Sequence, residues 1–463
     1  MRFLFTTIQF DEADFYARVS ERLRDEHGHE VAHVVVSRQA ARAMRARGLP
    51  AHCLPELTAR EGGYDRAAEI ARIEATYDVP SLRDIYLADP ASDGLAEAAA
   101  VERAIRHVRA IERVFEMVAP DVLVPEVGSE TMRTVAQLVA RERGVDSVLL
   151  FYTIFPRPLR MFLNTTHAPI VDAGEVHPLA GEERAEVEAF VAAYTARAQP
   201  TVPHRRARVT PGKLREFARH VVVRTTHERD NEYLRPGRFV TGFVRQKLRA
   251  GAARRLYAPV AAGDRPFVYF PLHVTDDFKV KKVIPHCVDQ AYLIRQVASA
   301  LPQGYDLVLK EHPASIGRNA APMLRGLAAV PNVRLVDAHT SSHELMRRAA
   351  AVVVISSTVG LEALLYARPV LTLGRPFYAG YGVTIDVDSF ADIRRAVPAV
   401  LRFTPDGERI LRFLGAAMRS TFAGAPAGVD ASDANAATVA SSLHRALSEH
   451  RGYAQVVANM TPP

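Results

Sequence analysis

Short runs of nearly continuous apolar residues, each followed by a stretch with helical periodicity, recur in two blocks along this 463-residue chain. Strands that are apolar on both faces must be covered by helices on both faces, and strand–helix–strand order makes neighbouring strands parallel. Those two constraints demand an α/β architecture. In residues 1–200 the pattern reads RFLFTTI, an amphipathic stretch around Tyr16–Leu23, VAHVVVS, and RQAARAMRARG stopping at Gly48. A long helical pattern over 95–118 then leads into DVLVPEV, and TMRTVAQLVARERG leads into VDSVLLFYT. This predicts a first Rossmann-like domain.

Residues 266–400 repeat the pattern more clearly, through FVYFPL, VDQAYLIRQVASAL, YDLVLKEHP, a helix near 320–328, VRLVD, SSHELMRRAA, AVVVISS, TVGLEALLYA and PVLTLG. Connections of two to six residues suit α/β units, so a second Rossmann-like domain is expected. Neither block carries GxGxxG after its first strand, which argues against a dinucleotide-dependent dehydrogenase. Between the blocks, prolines at 200, 203, 211, 236 and 259 punctuate what read as short helical pieces. After Gly424 a small-residue linker precedes one last helix near 434–449. The expected domains are therefore 1–200, a linker or insert at 201–262, 263–423, and a linker with a C-terminal helix at 424–463.

With 48 % hydrophobic side chains the composition is that of an ordinary globular protein, which excludes a disordered chain. Cys53 and Cys287 form no CxxC pair, so neither a zinc framework nor a disulfide scaffold is expected, and a reducing compartment fits. MRFLFTTIQF runs at once into Asp11, Glu12 and Asp14, and reads as a buried first strand rather than a secretory signal. No run of 18 apolar residues occurs. A cytoplasmic location is expected, possible contact with the inner face of the membrane included.

In parallel sheets, ligands bind beyond the carboxyl ends of the strands. Three loops of the second block stand out there. Lys310-Glu311-His312-Pro313 follows YDLVL and sets an ammonium and an imidazole where a phosphate oxygen can accept from them. Ser356-Ser357-Thr358 precedes a helix, whose free N–H groups and dipole favour an anion. A satisfied turn and a plain N-cap are the ordinary readings of these two. The third loop, Gly374 to Gly382, sets Phe377 and Tyr378 among glycines, where a base or sugar could stack. Glu362, one turn into the helix, could reach a ribose diol. His273, Asp276 and Asp277 in FPLHVTDD should face the same cleft.

FPLH, KEHP, NVRLVD…SSHEL, ISSTVGLEALLYARPVLTLG and PFYAGYGVT together resemble the bacterial capsule polysaccharide biosynthesis family, over about 265–390. Its members are GT-B glycosyltransferase-like proteins, some of which use CMP-activated sugars such as CMP-Kdo. The HP and Ser/Thr motifs are also similar to those of bacterial sialyl- and polysialyltransferases. The resemblance implies a GT-B-like fold of two Rossmann-like domains facing across a cleft. It further implies that His312 and the 356–358 hydroxyls hold the donor phosphate, that Glu362 holds the ribose, and that Phe377 and Tyr378 border the base or sugar. Lys310, Glu311 and His273 belong to the same implied donor site.

In GT-B enzymes the group serving the acceptor usually comes from the N-terminal domain. Inversion needs a base for the acceptor hydroxyl, and retention may need a carboxylate nucleophile. Strand-end candidates are Asp11 and Glu12 after the first strand, and Glu126 and Glu130 in PEVGSE, with Glu126 or Glu130 preferred. A carboxylate there may equally stabilise a helix N-terminus. No metal and no cofactor are expected. His286 with Cys287 lacks ligand spacing, and His33 lies in a strand while His27 and His29 lie in a turn.

Between His204 and Arg255, 15 Lys and Arg oppose Glu216, Glu228, Asp230 and Glu232, a local charge of +11 against +7 for the whole chain. The rest of the chain is therefore at −4. With few aromatics and no recognisable motif, nucleic acid is not expected as a partner. An anionic membrane surface fits better, and a solvated helical insert is the plainer alternative. The expected partners are a nucleotide-sugar donor and an oligosaccharide or lipid-linked acceptor. Other readings are a CDP-polyol phosphotransferase, a nucleotide-sugar 2-epimerase and a non-catalytic assembly or export factor.

Overall fold

The computed structural model describes residues 1–165, 176–197, 211–229, 231–259, 265–274 and 277–449. Asp276, the start of the basic stretch at 204–210, and the residues after 449 lie outside these.

The first sheet comprises β1 (Arg2–Thr7), β2 (Glu30–Val35), β3 (Ala51–Cys53), β4 (Val122–Pro125), β5 (Asp146–Tyr152) and β6 (Leu159–Leu163), in the order β3-β2-β1-β4-β5-β6. All neighbours are parallel except β5 and β6, which form an antiparallel hairpin. The second sheet comprises β7 (Phe267–Pro271), β8 (Asp306–Lys310), β9 (Val333–Val336), β10 (Ala351–Val354), β11 (Val370–Thr372) and β12 (Ile385–Asp386), in the order β12-β11-β10-β7-β8-β9. Read from the other edge, this is the same winding as the first sheet. The fold is α/β with two Rossmann-like domains in a GT-B-like layout. The apolar runs explain it, because every residue of β7, β8 and β10 is buried, as a sheet covered on both faces requires.

Identical winding puts a topological switch point between β1 and β4 and another between β7 and β10, where adjacent crossovers diverge and leave a crevice. The two sheets present their carboxyl ends to each other. Arg160 on β6 lies 4.3 Å from the ring centre of Phe377, which follows β11. Lys282 of the second domain donates to the Asp84 carbonyl of the first at 2.6 Å.

Three segments pack differently from their place in the chain. The helix Gly181–Ala196 sits before the expected boundary at 200, yet Val187 and Tyr194 pack into the second domain with Leu361 and Leu364. The helix Asp433–Glu449 returns to the first domain, where Ala436, Val439, Ala440 and Leu443 pack with Phe15, Val19 and Leu23. Among the described residues of 201–262, short helical pieces at Glu232–Leu234 and Arg254–Leu256 accompany two helices longer than expected. Pro211 and Pro236 stand at the starts of two long helices, Pro211–Thr226 and Pro236–Ala253, where a missing N–H costs nothing.

The histidine cluster also resolves differently. His33 is fully buried in β2 and stacks on Phe5 with centroids 5.3 Å apart. His27 and His29 instead meet His444 of the C-terminal helix, His29 Nε2 lying 3.0 Å from its Nδ1. Among the described residues no group of three or more His, Cys, Asp or Glu is placed to hold a metal ion, and no helix is long and apolar enough to cross a membrane.

Candidate functional site

At the second switch point, the loop after β7 is tied to the loop after β10. His273 Nε2 accepts the backbone N–H of Ser356 at 3.1 Å. Gln290 brackets the His273 backbone, accepting its N–H at 2.9 Å and donating to its carbonyl at 3.3 Å. An imidazole nitrogen that accepts is unprotonated, so His273 is neutral here with its proton on Nδ1. Burial pushes its pKa down to about 4, with Lys279 and His312 adding to the fall and Asp277 opposing it. Those neighbours place His273, Asp277, Lys279 and His312 around one point.

His312 is exposed at the end of the KEHP loop, where its Nδ1 accepts the N–H of Ala314 at 3.1 Å. That bond directs the neutral tautomer's proton to Nε2, which makes His312 a donor. Lys310, at the end of β8, donates to the Ser342 hydroxyl at 2.5 Å. Burial lowers its pKa to about 8, and the carboxylates of Glu362 and Asp337 hold it from falling further.

Ser357 caps the helix Thr358–Leu365 by accepting the N–H of Val359. Glu362, one turn on, accepts from the Tyr194 hydroxyl at 2.7 Å and from Thr358 at 3.3 Å, and burial raises its pKa. Glu362 thereby orients Thr358 at the helix start.

Two expected donor-site residues face into the fold. Glu311 is completely buried, its oxygens accepting from Tyr257 at 2.5 Å and Asn319 at 2.6 Å. Tyr378 is completely buried, and its hydroxyl donates to the Ser357 carbonyl at 2.5 Å. Both hold their loops in place, Glu311 by tying the KEHP loop to Tyr257 and Asn319, and Tyr378 by holding the Ser357 backbone. Gly360 lies under Tyr378, where an added Cβ would come 2.1 Å from the hydroxyl oxygen. Phe377 is the partly exposed member of the aromatic pair. It lies under Arg160, whose guanidinium is also 3.7 Å from the Phe162 ring centre. Asp386 braces the glycine-rich loop, accepting from Thr372, Thr384 and the N–H of Gly380.

The first switch point carries a second cluster. Glu12, in the helix Phe10–Asp25, accepts the N–H of Ile8 at 2.7 Å and an N–H of Arg133 at 2.7 Å. Arg133 also pairs with Glu130 at 3.0 Å. Tyr16 donates to Glu126 at 2.5 Å. Burial pushes the Glu126 carboxyl up to about 7, reinforced by the Glu12 charge and opposed by Arg133 and Tyr16. Glu126 and Glu130 lie in one cluster, with Glu130 and Glu12 both paired to Arg133. Asp11 is exposed in the first turn of its helix, and Glu12 takes the inward position instead.

Sequence reasoning missed Tyr16, Arg133, Arg160, Tyr194, Lys279 and Gln290. Tyr16 lies four residues after Glu12, and Arg133 three after Glu130, so helical spacing could have found both. Arg160 and Tyr194 carry no local signal, because packing between the domains brings them to the site.

The family model for capsule polysaccharide biosynthesis proteins matches residues 155–399, more than half of the chain. Protein FixF of Sinorhizobium fredii is 28 % identical over 44 % of this chain and 50 % of its own length. The capsule polysaccharide modification protein LipA of Neisseria meningitidis serogroup B is 31 % identical over 27 % of this chain and 18 % of its own length. The chain thus spans at most about half the length of these curated relatives. A solved Thermosulfurimonas dismutans structure described as KpsC, beta Kdo 2,7 transferase, is 17 % identical over 70 % of this chain and 88 % of that one, with a TM-score of 0.32, too low to carry an argument. The matched region runs from the β5–β6 hairpin through the KEHP, Ser/Thr and glycine-rich loops, and by that match the chain belongs to the capsule polysaccharide biosynthesis family.

Proposed function

We propose that this chain is a GT-B-type glycosyltransferase of surface polysaccharide assembly, moving a sugar from a nucleotide-activated donor to a glycan or lipid-linked acceptor. The observation that carries the reading is the second switch point, where neutral His273 holds the 356–358 loop before a helix N-terminus and the Lys310 ammonium and His312 imidazole end the neighbouring strand. Such a group suits the phosphate of a leaving nucleotide. His312 Nε2–H, the Lys310 ammonium and the 356–358 loop would stabilise the charge that develops as the glycosidic bond to phosphate breaks. Phe377, backed by Arg160, would border the base or sugar.

Glu126 would take the proton of the acceptor hydroxyl. A carboxyl titrating near neutrality is matched to that task, since it is ionised in part of the population yet basic enough to accept a proton. Closing of the domains would bring the two switch points together and exclude water. A cytidine nucleotide is the expected donor carrier, with a Kdo-like sugar, and the inner face of the cytoplasmic membrane is the expected place of work.

Calorimetric titration with CMP, CDP, UDP and GDP tests this reading, repeated with His312→Ala. We expect a cytidine nucleotide to bind and the substitution to weaken it at least about tenfold, the loss of one charge-assisted contact. Absence of nucleotide binding would sink the transferase reading. A preference for UDP would sink the CMP-sugar refinement. CDP binding accompanied by polyol-phosphate transfer would favour a CDP-polyol phosphotransferase, and binding without turnover a non-catalytic assembly factor.

A further inference from the structure

The helix Pro236–Ala253 has two unlike faces. On one, Gln246 donates to the Ile316 carbonyl at 2.8 Å, Arg249 donates to the Arg318 carbonyl at 3.2 Å, and Ala253 is buried in the second domain's core. Gly317 permits this close docking, since a Cβ there would come 2.0 Å from the Gln246 carbonyl oxygen. At about 100° per residue, Val240, Val244 and Leu248 lie on the opposite side of the helix. Val244 is 51 % exposed and Leu248 71 %. Arg245 and Lys247, both exposed, flank this stripe on its two sides.

The neighbouring helix packs beside it, Phe217 meeting Phe243 with ring centres 5.0 Å apart. Lys247 Nζ sits 5.3 Å from the Phe243 ring centre, so its aliphatic stem lies along apolar surface with the charge at the edge. Meanwhile two of the four acidic residues in this basic stretch are spent on the first domain. Glu228 is buried and accepts from the Ser37 hydroxyl at 2.6 Å, and Glu232 pairs with Arg103 at 2.6 Å and His107 at 2.9 Å. The charge left facing outward is therefore more one-sided than the sequence count.

We propose that this helix docks on an anionic lipid surface, with Val240, Val244 and Leu248 in the headgroup–acyl boundary and Arg245 and Lys247 among the headgroups. An aliphatic stripe edged by positive charge matches a surface that is apolar beneath and negative on top. A second copy of the chain fits less well, because apposing two such stripes would bring like charges together. Nucleic acid would find aliphatic side chains where it needs hydrogen-bonding or stacking groups. The contact does not depend on the transferase reading.

The test is co-flotation of the full chain with phosphatidylcholine vesicles, with and without phosphatidylglycerol. We expect binding only with phosphatidylglycerol, weakened by salt. V244E/L248E and R245E/K247E should each lower partitioning at least roughly tenfold, with unchanged melting temperature. The chain contains no Trp, so Leu248→Trp provides a single reporter whose emission should shift to the blue on anionic vesicles. Equal binding to both vesicle types, no binding, undiminished binding by either double variant, or an unshifted Leu248→Trp spectrum would each overturn the proposal. So would a stripe variant that changes only the oligomeric state.

Discussion

His273 Nε2 accepts the Ser356 N–H at 3.1 Å, so a side chain from the loop after β7 holds the backbone of the loop after β10 across the switch point. The first domain repeats the device, with Tyr16 from the helix after β1 donating to Glu126 after β4 at 2.5 Å. In each domain the two loops that border the crevice are held as one unit.

The histidine tie works only while its ring is neutral. The folded pKa of His273 is pushed down to about 4, and those of His29 and His33 to about 4 and about 3. An unfolded chain binds these protons near pH 6.5. Stability is therefore full above pH 6.5 and falls as pH drops toward 4, by at most about 1.4 kcal/mol per unit for each buried histidine. Thermal melts across pH 4–8 should show this decline, and His33→Leu should flatten it. A flat wild-type profile would contradict it.

Glu126 should govern the acidic limb of activity. Glu126→Gln is expected to lower turnover by roughly 10²–10⁴ while leaving nucleotide affinity intact. The wild-type limb should lie near pH 7, where the carboxyl ionises. Tyr16→Phe removes a hydrogen bond that favours the carboxylate, so the limb should move to higher pH. An unmoved limb in that variant would remove Glu126 from the proton transfer.

Glu311 separates a positioning role from a ligand role. Glu311→Ala leaves the Tyr257 hydroxyl and the Asn319 amide without their acceptor, a loss of about 2–5 kcal/mol. Denaturant titration reads that loss. Folded Glu311→Ala should keep nucleotide affinity within about threefold, whereas His312→Ala should not. A Glu311→Ala that melts like wild type but no longer binds nucleotide would restore Glu311 to the ligand site.

Gly360 is required by close approach. Gly360→Ala drives a methyl into the buried Tyr378 side chain and displaces its bond to the Ser357 carbonyl. We expect a loss of about 1–3 kcal/mol, together with weaker nucleotide binding, because the 356–358 loop loses its backing. Tyr378→Phe should cost about 1 kcal/mol and leave the packing in place. Equal melting temperatures for Gly360→Ala and wild type would contradict the geometry.

Much of the fold was legible because burial on both faces writes itself as uninterrupted apolar runs. FLF in β1, LVL in YDLVL and AVVV in β10 have no polar face to confuse with a helix. The antiparallel strand β6 was not foreseen, since LRMFL has no helix before it to mark a crossover. The two long helices were mistaken for short pieces because Pro211 and Pro236 read as breaks, although proline at a helix start interrupts no hydrogen bond.

For the site, the sequence by itself determined which loops matter, since strand ends follow from strand order and the reactive side chains sit within a few residues of them. It could not determine which of those side chains turn outward. Glu311 and His312 are adjacent, yet one is sealed in the fold and the other is exposed. That choice belongs to tertiary structure, because Tyr257 and Asn319 offer Glu311 the hydrogen bonds that make burying a carboxylate tolerable. The same holds for Glu126, whose pKa is raised by burial and by the Glu12 charge, while Arg133 and Tyr16 from other segments hold it back. Chain order placed these side chains at the strand ends, and long-range burial decided which are sealed in the fold and which stay exposed.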